Sequence, residues 1–88
     1  MSADFLEPFR GQIVVCDLGE YYLVIGTLTA FSADHLELAE ADLHDQREAN
    51  STKEVYALET QKLGVRANRK RVVMPRRHLV AVSLLSDL

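Results

Sequence analysis

Apolar and polar positions along this chain change places in short, strand-sized runs. Gln12 to Leu18 is rich in β-branched residues and closes on Gly19, the pattern of a strand followed by a tight turn. Tyr21 to Phe31 is long for one strand and carries Gly26 near its middle, where a missing side chain signals a bend or a close backbone approach. From His35 to Ala41 polar and apolar residues alternate without a break, so one face is expected to be buried, with Leu36, Leu38 and Ala39 inward and Glu37, Glu40 and Asp42 on the wet side and the turn after it. Two further runs, Arg71 to Met74 and His78 to Leu84, flank Pro75, Arg76 and Arg77 and predict a fourth and a fifth strand.

Helical signals are fewer. Ser2 to Phe9 predicts a short N-terminal helical turn capped by Ser2 or Asp4, with Phe5, Leu6 and Phe9 as its apolar side and Pro8 keeping it short. Polar residues from His44 to Asn50 read as a loop. Ser51 to Leu63 then reads as a helix: Ser51 and Glu54 match a capping box, Val55, Leu58 and Leu63 form an apolar stripe, and Gly64 stands where a C-terminal cap falls. Residues 54 to 59 also alternate, so an extended hairpin stays open as the other reading of this segment.

The chain has 88 residues, 48% of them hydrophobic and 26% charged, which fits one globular domain spanning 1–88 and excludes wholesale disorder. So short a chain buries a modest share of its surface, which makes assembly with further copies an expectation from the start. Cys16 is the one cysteine and has no partner for an intrachain disulfide, no basic and apolar leader is evident, and no apolar run approaches the roughly 20 residues a membrane span needs. A cytoplasmic protein that does not cross a membrane is the expectation. The net charge of −3 hides an asymmetry: residues 1–48 hold ten acids against Arg10 and Arg47, while residues 49–88 hold eight bases against Glu54, Glu59 and Asp87. Six of those bases lie between Arg66 and Arg77. They form either a solvated loop neutralised by the acidic half or a phosphate-binding rim.

The order of elements, and two stretches in particular, resemble the Sm-like superfamily. Gly26, Thr27 and Leu28, then Phe31, then His35 to Leu38 are similar to the first Sm motif, and Val72 to Val82 is similar to the second. The resemblance covers about residues 10 to 85 and implies a mainly β fold: a small, strongly bent, barrel-like sheet of five antiparallel strands, with a short N-terminal helix and here a helical insertion before the fourth strand. It also implies a cyclic homo-oligomeric ring and RNA binding. Departures fall on the family's base pocket. Ser32 holds the position of its Asp, His35 that of its Asn, and Pro75 and Arg76 replace its Arg-Gly pair, with His78 where the following Asn falls.

Candidate chemistry concentrates in the same places. His35 and His78 beside Arg76 and Arg77 suit a nucleotide or anion site, since imidazole both hydrogen-bonds and stacks; the reading placed ahead of this is that each is a strand-end histidine satisfied by backbone or solvent. Arg69, Lys70 and Arg71 have the composition of a phosphate-contacting segment or of charges that blunt an exposed sheet edge. Tyr21 and Tyr22 read as base-stacking groups or as half-buried sheet packing. His35, His44, His78 and Cys16 lack zinc-ligand spacing, and no nucleophile elbow or phosphate-cradling loop occurs, so neither metal, cofactor nor catalysis is expected. The expected function is a non-catalytic, ring-forming module associated with RNA through a basic rim, or a scaffold that has lost the base pocket and meets a protein partner through residues 51–63.

Overall fold

A computed structural model describes residues 4–88. Five strands follow in order: β1 (Ile13–Asp17), β2 (Tyr22–Phe31), β3 (His35–Asp45), β4 (Arg69–Pro75) and β5 (Ala81–Leu84), with one α-helix, α1 (Lys53–Leu63), between β3 and β4. They make a single antiparallel sheet in the order β4-β3-β2-β1-β5. β4 and β5 do not pair with each other, so the sheet is open and has two margins. The mainly β, five-stranded antiparallel expectation holds, and residues 53–63 are helix rather than hairpin.

Two bulges set which residues face the core. Between Ile25–Asp42 and Thr27–Ala39 the pairing shifts, so that Glu40 and Ala41 together oppose Gly26. Glu40 takes a positive φ of 48°, and a Cβ on Gly26 would come within 3.0 Å of the Ala39 carbonyl and of Ala41. Gly26 is required by that close approach, as its place in the run suggested. An extra residue slips the side-chain alternation by one. Leu36 and Leu38 point into the main core, and past the bulge Ala41 and Leu43 join them, instead of the expected Ala39. Asp42 and His44 are thereby turned to the opposite face. A second shift leaves Thr29 unpaired between Leu28 and Ala30, its hydroxyl donating to Glu37, and brings Phe31 rather than Ala30 onto the core.

The main core gathers Val14, Cys16, Val24, Leu28, Leu36, Leu38, Ala41 and Met74 from four strands, closed by Leu6 and Phe9. Each fully buried Leu or Val is worth about 1.5–3 kcal/mol. On the other face a smaller cluster of Val15, Leu23 and Ile25 is covered by Ala57 of α1 and by Leu85. Helix α1 starts one residue later than expected: Thr52, not Ser51, is the cap, accepting from the Val55 N–H at 3.2 Å, while Gly64 closes it at φ +89°. Its buried side is Ala57 and Thr60, and the expected apolar stripe of Val55, Leu58 and Leu63 faces outward. Periodicity found the helix and misassigned its face, because Tyr56 and Thr60 spend their polar groups inward.

The remaining boundaries move for local reasons. The N-terminal segment is a single 3-10 turn, Glu7–Phe9, in which Asp4 accepts from the Leu6 N–H at 2.9 Å; Leu6 is buried while Phe5 stays 92% exposed, and Ser2 lies outside the described residues. His44 and Asp45 belong to β3 rather than to a loop, which begins with the 3-10 turn Gln46–Glu48. His78 belongs to a 3-10 turn, Arg76–His78, and β5 starts at Ala81.

Candidate functional site

The seven sequence-selected residues fall into two groups at opposite ends of β4. His35 opens β3 in register with Pro75, and the turn Arg76–His78 follows at once, so Ala33, Asp34, His35, Arg76 and Arg77 line one shallow hollow. His78 is exposed on that turn but does not line the hollow. Arg69, Lys70 and Arg71 begin β4; Arg69 is six residues and so about 20 Å from Pro75, whereas Arg71 lines a second hollow together with His35. His35 thus borders both Arg71 on one side and Arg76 and Arg77 on the other, while Arg69 and Lys70 line neither hollow.

Much of the basic half is answered within the chain. Arg76 donates twice to Asp4, at 2.6 and 3.1 Å, and once to the Ser32 carbonyl at 2.8 Å, pinning the N-terminal turn to the β2–β3 connection. Arg76, by that hydrogen bond, holds the Asp4 carboxyl below its ordinary value, helped by the Leu6 N–H. Arg71 meets Glu37 at 2.6 Å and lowers it, with the Thr29 hydroxyl adding to the effect. Lys53 bonds Asp17 at 2.8 Å and the Gly19 carbonyl at 2.9 Å, closing the β1–β2 turn over the start of α1. Partial burial of Asp17 pushes its carboxyl up, but the Lys53 and Gly19 donors outweigh this and the net direction is down. Among the described residues Arg69, Lys70 and Arg77 are exposed and in no ion pair. Tyr21 carries the Arg47 guanidinium 4.5 Å above its ring, and Arg47 also donates to the Tyr22 hydroxyl at 3.3 Å.

A polar cluster that the sequence reading placed in solvent lies between β3 and α1. Asp42 is 3% exposed and accepts from the Tyr56 hydroxyl and, at 3.2 Å, from the Asn68 amide. Asn68 also donates to the Leu43 carbonyl and accepts from its N–H, standing in for a neighbouring strand. The His44 ring stacks on Tyr56 at 3.6 Å with 13° between planes, and Arg66 sits 5.7 Å over Tyr56. Burial pushes the Tyr56 phenol up to about 12, with the Asp42 hydrogen bond adding to it. The phenol stays a donor at neutral pH and fastens α1 to the sheet. Only the bulge at Glu40 and Ala41 signals this cluster, because it turns Asp42 and His44 off the main-core face and onto the face that α1 covers. Cys16 is buried in the main core, and burial pushes its thiol up to about 12, far from thiolate chemistry. Among the described residues no three His, Cys, Asp or Glu side chains converge as a metal site, and no helix is long and apolar enough to cross a membrane. Neither family models, curated proteins nor solved structures yield a match to this chain.

Proposed function

We propose that this chain is a non-catalytic assembly module of the bent, barrel-like Sm-like kind, which closes a homo-oligomeric ring by pairing β4 of one copy with β5 of the next. One observation carries the reading: the order β4-β3-β2-β1-β5 leaves two unpaired margins on one sheet. An isolated margin exposes a row of backbone donors and acceptors, and an antiparallel neighbour satisfies them. Such a head-to-tail contact uses two different surfaces of the same chain, so repeating it gives a ring when the rotation closes. Within this reading the ring is mainly a protein scaffold. Arg76, the residue at the family's pocket position, is engaged by Asp4 and Ser32, and Asp34 sets a negative charge beside Arg77 in the hollow with His35.

A second reading, RNA held on the ring's basic patches, is favoured by the unpaired cations Arg69, Lys70 and Arg77, with His35 and His78 exposed near the last. Phosphate contacts of that kind are strongly salt-dependent. Native mass spectrometry with and without a short uridine-rich RNA separates the readings. A ring that ignores RNA at moderate salt supports the scaffold. A ring that takes up RNA, and loses it in the Lys70→Ala, Arg77→Ala variant, supports the second reading, and a monomer under all conditions overturns both.

A further inference from the structure

Helix α1 and β5 enclose an apolar groove on the face of the sheet away from the main core. Val15, Leu23, Ala57, Leu58, Ala81 and Ser83 line it, and Leu58 remains 43% exposed. Its polar end carries Asp17, Lys53 and Glu54; Lys53 is spent on Asp17, and among the described residues Glu54 is in no ion pair. Because β5 is a margin of the sheet, the groove is open along the side where a further strand would lie.

We infer that this groove receives the outward row of β4 from a second copy, with Val73 of that copy seated against Leu58; the inference rests on the edge-pairing reading above and specifies its contact. Register decides which side chains arrive. Residues opposite each other in an antiparallel pair share a face. Leu36 and Leu38 lie opposite Met74 and Val72, all on the core face, so Val73 and Arg71, opposite Glu37 and Ala39, occupy the other face. On β5 the same side is that of Ala81 and Ser83, opposite Asp17 and Val15. A strand added along β5 continues both faces of the sheet, which brings Val73 and Arg71 over the groove. Val73 is 50% exposed in the single chain, so its apolar surface is free to meet the groove. Charge matches as well: antiparallel to β5, the incoming strand brings its Pro75 end, followed by the exposed Arg77, to the Ala81 end of the groove, where Glu54 stands to answer it. Helix α1 is then the part of the chain that makes the β5 margin selective for this β4, since bare backbone pairing accepts any strand.

Sedimentation velocity over a wide concentration range, on the full chain and on Val73→Glu, Leu58→Lys and the double variant, tests the contact. Each single change is expected to raise the concentration for half-assembly at least tenfold, about the worth of one such apolar contact replaced by a charge at an interface. The double variant places Glu against Lys at every contact and is expected to return within about threefold of the parent. Circular dichroism verifies that each variant is folded, and Val73→Ser with Leu58→Ser reads the same contact should a charged variant unfold. A parent that stays monomeric overturns both this contact and the edge-pairing reading. A parent that assembles while the single variants assemble equally well overturns the groove alone, as does loss in the single variants without recovery in the double.

Discussion

Removing one oxygen atom tests how α1 is held on the sheet. Tyr56→Phe keeps the ring that stacks on His44 and deletes the hydroxyl that donates to Asp42. Asp42 is 3% exposed, so water does not replace the lost donor freely, and Asn68 is left as its one side-chain partner among the described residues. A hydrogen bond to a charged group contributes about 1.5–3 kcal/mol, and stranding a buried acceptor costs a similar amount. With the Asn68 bond remaining, a loss of about 2 kcal/mol is expected, which lowers the Tm of a domain this size by about 10 °C. Urea unfolding at pH 7, followed by circular dichroism, measures it. Alkaline pH gives an independent check of sign. The phenol titrates near 10 when unfolded and at about 12 when folded, so its contribution is complete below pH 10 and disappears as pH rises to 12. Phenylalanine has nothing to titrate, and the gap between parent and variant should close over that window. A difference under about 0.5 kcal/mol at pH 7, or an alkaline slope identical in both proteins, refutes the account of Asp42 as a buried acceptor held by Tyr56.

Three more consequences concern the bend, the N-terminal tie and the core thiol. Gly26→Ala forces a methyl to within 3.0 Å of the backbone of β3 at the bulge and should cost about 1–3 kcal/mol, read as a lower midpoint in urea; an unchanged midpoint means the strands are not in that close approach. Because Arg76 depresses Asp4, the tie is complete above pH 4 and weakens as pH falls through the lowered carboxyl value; Arg76→Ala should therefore lose less Tm than the parent between pH 5 and pH 2.5, and equal losses would remove this ion pair from the acid response. Cys16 should resist a thiol reagent at pH 8 in the native protein and react fully in urea, whereas rapid native labelling would contradict its burial.

Local pattern was enough to locate all five strands and the helix. β-branched runs, strict alternation from His35 and the helix-ending Gly64 are properties of neighbours in sequence, and short-range sterics and burial act on them directly. Gly26 announced a close approach because a glycine in mid-strand has few other uses. What the pattern left undetermined lies where non-adjacent segments meet. The bulge at Glu40 and Ala41 exists only through pairing with β2, and that one-residue slip puts Asp42, expected on the wet side, and His44, expected in a loop, on the face that α1 covers. The outward face of α1 follows from Tyr56 reaching Asp42, a partner fourteen residues away. Charge behaved likewise: composition showed an acidic and a basic half, but pairs such as Arg76 with Asp4, seventy-two residues apart, decided which cations are spent within the chain. Sequence by itself therefore determined which elements form, since their causes are local. Tertiary structure alone decided which faces they bury and which edges they leave open, because those depend on register and on contacts that come into being only when the sheet assembles.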